Sequence, residues 1–356
     1  MKATVRPLEG EDLLRGVDRL RTLVYPDHPE AHDTAWHRSV WGWLASHPLA
    51  DEHMRRWVVA TEEDEVVGHL AAVPQYYRVN GERVVAHTPA DFQVLPGYGF
   101  HAISLMRRFF RVAENRVSLD QVGEAMAVET RLGAEKAGRL RYDAKLLDLS
   151  RVPRAPARLR PLLGSATRGL RALDGVLGGV FAGKHEVDAL GGFDGSFDDL
   201  FEGVAAAIPC LAEKDAAFLR WRYGPGSPAV PVTVLGVRAG EALLGYAVLR
   251  VTREGGDGHV LDLTVRPGRR DVARSLLREA VRHFAKAGAY IVRYRFVESA
   301  TSPQAEDLWS LGFFSREERR HTLLVRFADP GMHETALHPA HWSYSAGDGE
   351  MTFWVR

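Results

Sequence analysis

The segment DFQVLPGYGFHAISL, Asp91 to Leu105, returns in altered form as DLTVRPGRRDVARSL, Asp262 to Leu276. In each copy a strand-like alternation ends at Val-x-Pro. Helical spacing follows the proline, at Ile103, Met106, Phe110 and Ala113 in the first copy and at Ala273, Leu276, Ala280 and Phe284 in the second. An internal repeat constrains the fold more than any single motif, because both copies must be built on one supersecondary plan.

The flanking sequence repeats in the same order. ATVRPL alternates like a strand, and Leu13, Val17, Leu20 and Leu23 mark a helix after it. RWVVAT, VVGHLAAVPQYYRV and ERVVAHTPADFQVLP then read as a strand meander, with a hairpin signal at Asn80-Gly81. In the second half, PVTVLGVRAGEALLGYAVLRVTREGGDGHVLDLTVRP repeats the meander. AYIVRYRFV adds a strand, and QAEDLWSLGFF a short helix capped at Gly312, matched by Gly133 in the first copy. The chain of 356 residues is long enough for two domains with separate cores. The expected division is 1–150, a linker with a helix over 151–185, and 186–356.

Lys plus Arg and Asp plus Glu each number 46, so no net field draws the chain to nucleic acid or an anionic membrane. The single cysteine, Cys210, rules out an internal disulfide. It lies in an apolar run that suits a buried spectator. No apolar run is long enough to span a bilayer, and no hydrophobic signal region opens the sequence, so the expected location is cytoplasmic.

The order strand, Val-x-Pro, loop, helix, strand and a helix ending Leu-Gly-Phe resembles the GNAT (N-acetyltransferase) superfamily. The residues that carry the resemblance are Val94-Leu95-Pro96 with Tyr98, and Val265-Arg266-Pro267 with Leu311-Gly312-Phe313. As a whole the chain is similar to tandem-GNAT proteins encoded with bacterial polysaccharide genes. The resemblance implies an α+β fold of two tandem GNAT-like domains, each a mixed, mostly antiparallel sheet flanked by helices. It also implies an acyl-CoA donor, acetyl-CoA first, held where backbone N–H groups and a helix dipole face the pyrophosphate. The positions this places against the cofactor are Gln93, Val94, Leu95, Gly97, Gly99, Phe100, His101, Ala102, Ile103 and Ser104 in the first copy. Arg270, Ala273 and Ser275 are their counterparts in the second. The family pattern R/Q-x-x-G-x-G/A is incomplete in both, with alanine and serine at the two small positions. The first copy has Gly99 where the leading Arg or Gln belongs, whereas the second keeps Arg270 among extra arginines.

Acyl transfer needs a proton acceptor for the amine, a donor for the developing oxyanion and a departing thiolate. Asp91 is the candidate base, with a structural hydrogen bond as its other role, and Tyr98 the candidate acid. The family's usual tyrosine, four residues before the glycine of Leu-Gly-Phe, is replaced by Glu129 and Leu308. Trp36, Trp41, Tyr76 and Tyr77 could stack on an acceptor sugar or base, or simply form core. The histidines from His28 to His53 match no metal-ligand spacing, and no metal is expected. The expected function is acyl-CoA-dependent N-acyltransfer to a small amine, an aminosugar or sugar nucleotide among the candidates, without nucleic acid. Two other readings stand beside it: a non-catalytic tandem scaffold, and aminoacyl transfer from charged tRNA. Whether the copies pair within one chain or across a homodimer is open at this point.

Overall fold

The computed structural model describes residues 2–120, 122–152, 185–252 and 256–355, with 158, 162, 163, 167 and 169. Most of the expected linker helix over 151–185 lies outside the described residues. In chain order the first elements are β1 (Ala3–Pro7), α1 (Glu11–Val24), α2 (Thr34–Ala45), α3 (Ala50–His53), β2 (Arg55–Thr61), β3 (Val66–Val79) and β4 (Glu82–Val94). Next come α4 (Phe100–Val112), β5 (Arg116–Asp120), α5 (Gly123–Arg131), β6 (Glu135–Arg139), β7 (Arg141–Leu146), β8 (Asp188–Leu190), α6 (Ser196–Ala205), β9 (Cys210–Ala212) and α7 (Ala216–Tyr223). The chain continues with β10 (Thr233–Ala239), β11 (Ala242–Val251), β12 (Asp257–Val265), α8 (Arg270–Lys286), β13 (Ile291–Phe296) and α9 (Ala305–Ser310). It closes with β14 (Phe314–Ser315), β15 (Thr322–Arg326), α10 (Pro330–Ala336) and β16 (Trp342–Ser343).

Contacts divide the chain into two units. The first holds Met1–Gly138, Gly226–Pro228 and Thr322–Leu337, and the second the remainder. The first unit's sheet runs β1-β2-β3-β4-β5-β15-β6, and the second unit's β14-β7-β13-β12-β11-β10-β8. Along these paths β4 pairs with β5 and β12 with β13 in parallel, among antiparallel neighbours. Both are mixed, mostly antiparallel sheets flanked by helices, the expected fold class. The units are not the contiguous halves 1–150 and 186–356. β15, from late in the chain, pairs with β5, and β7, from before the linker, pairs with β13. Hydrophobic alternation marks a strand but does not say which sheet it joins.

The hairpin signal is realised at Asn80 and Gly81, with φ of 52° and 82°, the left-handed pair that a two-residue turn between β3 and β4 requires. The apolar stripe of α4 puts Leu105, Met106 and Phe109 against Val59, Leu70 and Ala72. In the second unit Val272, Leu276, Ala280 and Phe284 of α8 pack into one core with Val265 and Val292. Cys210 is buried, and burial pushes its thiol up to about 12, so it presents no nucleophile.

One irregularity positions the site. Between the pairs His69–Gln93 and Ala71–Ala90, β4 carries an extra residue relative to β3. β12 does the same relative to β11 between Val248–Asp262 and Leu249–Val260. Such a bulge bends the strand that carries it. Parallel pairing then stops early, at His87–Arg116 in the first sheet and at Val260–Tyr294 in the second. Each Val-x-Pro therefore borders an opening between two diverging parallel strands. Among the described residues no helix is long and apolar enough to cross a membrane.

Candidate functional site

In the first unit the N–H of Leu95 bonds to Val67 O at 2.9 Å. Strand alternation turns the preceding N–H, that of Val94, away from β3 and into the opening. Tyr98 N–H closes a turn on Leu95 O at 3.1 Å, and Gly97 takes the left-handed φ of 91° that this turn needs. α4 then starts at Phe100. Its N-terminus has no side-chain cap and no acidic residue in the first turn. Among the described residues, the N–H groups of Val94, Gly97, Gly99 and Phe100 have no hydrogen-bond partner. A Cβ built at Gly97 or Gly99 would meet nothing within 4 Å, so the space over these donors is clear. His101 is buried with its Nε2 unpartnered and its ring centroid 3.9 Å from that of the exposed Phe100. Ala102, Ile103 and Ser104 are half-buried. The N–H groups of Gly97, Gly99 and Phe100 at the start of α4 stand at the positive end of a helix, where an anion is favoured without any basic side chain, and the Val94 N–H lies further back along β4.

The second unit fills the equivalent space with its own chain. Val265 N–H bonds to Thr301 O at 3.0 Å and Gly268 N–H to Ala300 O at 2.9 Å. Ser345 bridges Phe296, and Val297 N–H bonds to Tyr344 O at 2.7 Å, so Tyr344 and Ser345 lie antiparallel against the end of β13. Gly347 lies so close to β12 that a Cβ there would come 2.7 Å from Leu261 O. The arginines expected to neutralise phosphate are engaged. Arg270 Nε bonds to Asp307 at 2.7 and 2.9 Å and its Nη2 to Glu306 at 2.7 Å, while Arg274 Nε lies 3.1 Å from Asp307. Asp271, in the first turn of α8, is taken by Arg269 and His185. Ala273 is wholly buried in the core, and Ser275 Oγ bonds back to Asp271 O. Arg270, Ala273 and Ser275 thus have structural work, a correction to the sequence expectation.

Asp91 is corrected too. It sits at the bulge with φ of 53°, in a left-handed region that aspartate tolerates better than most residues. Its Oδ1 accepts from Arg21 Nη1 at 3.1 Å and from Gln93 Nε2. Its Oδ2 accepts from His37 Nε2 at 3.1 Å and lies 3.3 Å from His69 Nδ1. Three side chains thus bond to the carboxylate, while His69 Nδ1 bonds to the backbone O of Asp91 at 3.0 Å. Burial alone would raise its pKa, but the hydrogen bonds from His37 and His69 hold it well below the usual carboxylate range. His37 is flanked by Asp91 and Asp18. Burial disfavours its charge, yet hydrogen bonds to those two carboxylates raise its pKa; Trp41 Nε1 also lies 3.2 Å from its Nε2. Burial lowers the pKa of His69, which receives Arg56 Nε at 3.3 Å on its Nε2. Asp91 therefore compensates buried charge and ties α1 and α2 to β4.

Asp262, its counterpart, is equally enclosed. Oδ1 accepts from Lys214 Nζ at 3.0 Å and Thr264 Oγ1 at 3.0 Å, and Oδ2 from Tyr246 Oη at 2.7 Å. Lys214 Nζ also lies 3.0 Å from Asp348 in the chain segment that fills the opening. Burial pushes Asp348 up to about 6 against the pull of Lys214.

The aromatic candidates are packed. Trp36, Trp41 and Tyr77 are buried; Arg56 covers the Trp41 ring at 3.7 Å, and Arg83 covers Tyr76 at 3.6 Å. Tyr76 is half-buried, and the other three belong to the buried interior. Tyr98 packs beside Val94 and Leu95 at the edge of the first opening. Gln93 is buried; its Nε2 donates to Asp91 and, among the described residues, its Oε1 has no partner. Sequence reasoning set Glu129 aside as a missing tyrosine. In the structure it is buried, accepts one hydrogen bond, from Ser118 Oγ at 2.7 Å, and is pushed up to about 7 by burial.

No family model and no curated protein matches this sequence. Solved structures do. A GCN5-related N-acetyltransferase from Anabaena variabilis superposes with a TM-score of 0.58 at 12% identity, over 92% of this chain and 73% of that one. A GCN5-related N-acetyltransferase from Kribbella flavida gives 0.53 at 16% identity, over 94% and 73%. Saccharomyces cerevisiae N-myristoyltransferase with bound myristoyl-CoA gives 0.59 at 10% identity, over 92% and 79%. At such identities the likeness speaks for architecture, and this chain has the fold of the GCN5-related N-acetyltransferases.

Proposed function

We propose that the protein is an acyl-CoA-dependent N-acyltransferase whose first unit binds the donor, and that the second unit binds none. One observation carries this reading: four backbone donors around Val-x-Pro are unpaired in the first opening, and two of their counterparts are capped by the chain's own carbonyls in the second. The residues present fit the donor. The N–H groups of Gly97, Gly99 and Phe100, at the uncapped start of α4, would hold the pyrophosphate, and clear space over both glycines lets it approach the backbone. The Val94 N–H, set deeper along β4, would polarise the acyl carbonyl and stabilise the charge that develops there. Bound there, acyl-CoA supplies the activated thioester. Myristoyl-CoA in a structure of the same fold supports an acyl-CoA donor. The acceptor is a small amine, with aminosugars the first to test, and acetyl-CoA the first donor.

Calorimetric titration with acetyl-CoA and longer acyl-CoAs tests the reading. One site per chain is expected. Gly99→Trp fills the open space without straining the backbone, since Gly99 has an ordinary helical φ of −53°. It should weaken binding at least tenfold, while Arg270→Ala leaves binding unchanged. Failure of every acyl-CoA to bind overturns the proposal. Thiol release in the presence of amines, glucosamine included, then identifies the acceptor class.

A further inference from the structure

β8 is the terminal strand of the second unit's sheet, and its pairing with β10 ends at Leu190–Val234. Beyond that pair lies an open cleft of about 750 Å³, bordered also by the last turn of α7, and every residue that lines it belongs to the second unit. Gly224 ends α7: its N–H bonds to Arg220 O at 2.8 Å, and a Cβ there would collide with that oxygen. Arg220 and Arg222 stand two apart on this helix, a spacing that sends them to different faces. Arg222 is buried and donates to Gly349 O at 2.7 Å and Thr352 Oγ1 at 2.6 Å. Arg220 is exposed and lines the cleft, with Nη1 donating to Phe193 O at 2.7 Å. Among the described residues its guanidinium makes no other hydrogen bond or ion pair.

We propose that this cleft is a binding site for a small monocarboxylate with an apolar body, its carboxylate on Arg220 and its body against the aliphatic wall. The bond to Phe193 O holds the guanidinium in place and leaves Nε and Nη2 free, the edge that meets both oxygens of a carboxylate side by side. Nothing among the lining residues competes for that charge, since none of them is acidic. The nearest acid in sequence, Asp194, is taken by Arg238 and by Ser196. The N–H groups of Gly192 and Phe193, beside Arg220, have no hydrogen-bond partner among the described residues, and a Cβ at Gly192 would meet nothing within 4 Å. Leu190, Val230, Val232 and Val234 supply aliphatic surface, while Pro225 and Pro231 bring no N–H to the cleft. One cation beside an apolar wall that is poor in donors suits a ligand with a single charged end. The volume is that of a small-molecule site. The proposal is independent of the acyl-CoA reading, which concerns the first unit.

The test titrates octanoate, octan-1-ol and acetate into the full chain by calorimetry. Octanoate should bind at one site per chain, octan-1-ol about tenfold more weakly because it brings no charge to Arg220, and acetate weakest because it brings no body. Arg220→Met should weaken octanoate about tenfold or more and bring it level with octan-1-ol. Gly192→Trp fills the cleft from an exposed position with clear space around it, so it should abolish binding of both. It also keeps the test decisive if the loss of the Arg220 bond to Phe193 disturbs folding. Saturating acetyl-CoA should leave the octanoate titration unchanged. Absence of octanoate binding, or equal affinity for octanoate and octan-1-ol in the wild type, overturns the proposal. So does octanoate that acetyl-CoA displaces and that binds both variants as it binds the wild type, since it would then occupy the first opening.

Discussion

The two openings differ less in what lines them than in what occupies them. Both are made by a bulge before Val-x-Pro, and both have an aspartate locked into buried donors behind the strand, Asp91 in one and Asp262 in the other. In the first, the Val94 and Gly97 N–H groups are bare. In the second, Thr301 and Ala300 cap the same two positions, and Tyr344 and Ser345 lie against the end of β13. The electrostatics follow suit. The first aspartate is balanced within its own unit by Arg21 and His37, and nothing from the opening is needed. The second shares Lys214 with Asp348, a residue of the filling segment itself. A fold built to hold an extended ligand against a strand edge can thus be closed by its own chain, with a buried ion pair as the fastening.

The largest expected effect tests that fastening. Lys214→Met leaves Asp262 and Asp348 facing each other in the interior with no cation between them. Removing one partner from a buried ion network costs about 3–5 kcal/mol, which a denaturant midpoint would register directly. Ser345 and Thr264 can still donate to Asp262, so the cost is not the whole cluster. A loss under about 1 kcal/mol, the range of exposed pairs, would break the comparison, because the second opening would then be held by something other than this cluster.

A smaller effect separates the units by pH. Asp348 is raised to about 6 in the fold from an ordinary value near 4, so the folded state binds its proton more tightly than the unfolded chain does. Its contribution is complete below about pH 4 and is lost as pH rises through about 6. His37 is also raised, so its contribution is complete below about pH 6.5 and declines only as pH passes its higher folded value. Asp348→Asn should therefore remove a downward slope of stability between pH 4 and 6 and leave the slope above pH 6.5 untouched. If the difference between variant and wild type falls in the upper window instead, the pH response has been assigned to the wrong unit.

How much of this could be read from the sequence depends on the range of the interactions. Hairpin and helix-stop signals are local, so Asn80-Gly81 and Gly312 fell where expected, with φ of 78° at Gly312. The repeat of Val-x-Pro before a helix fixed the two openings for the same reason. The exchange of β7 and β15 was not legible, since strand alternation carries no address for a sheet. Nor were the fates of the candidate side chains. Arg270 is spent on Asp307, 37 positions away, and Asp91 on Arg21, 70 positions away. Glu129 was visible only as a departure from a family pattern. What gives it interest is desolvation, which belongs to the packed state and has no signature in spacing.

The smallest expected effect sharpens the comparison most. Ser345 contributes through its backbone, which bridges Phe296, and through its Oγ, which accepts from Asp348 N–H and lies 3.4 Å from the Asp262 carboxylate and 3.2 Å from that of Asp348. Ser345→Ala deletes the second and keeps the first. Losing the cap and the one hydroxyl proton, which faces two carboxylates at long range, should cost about 1 kcal/mol. The backbone contact with the end of β13 is intact in the variant, as are the caps that Thr301 and Ala300 place on Val265 and Gly268. Acyl-CoA should therefore still titrate to one site per chain. A second equivalent appearing in Ser345→Ala would mean that a side chain keeps the second opening closed. The difference between the two units would then be a matter of one residue, where the geometry makes it a matter of backbone.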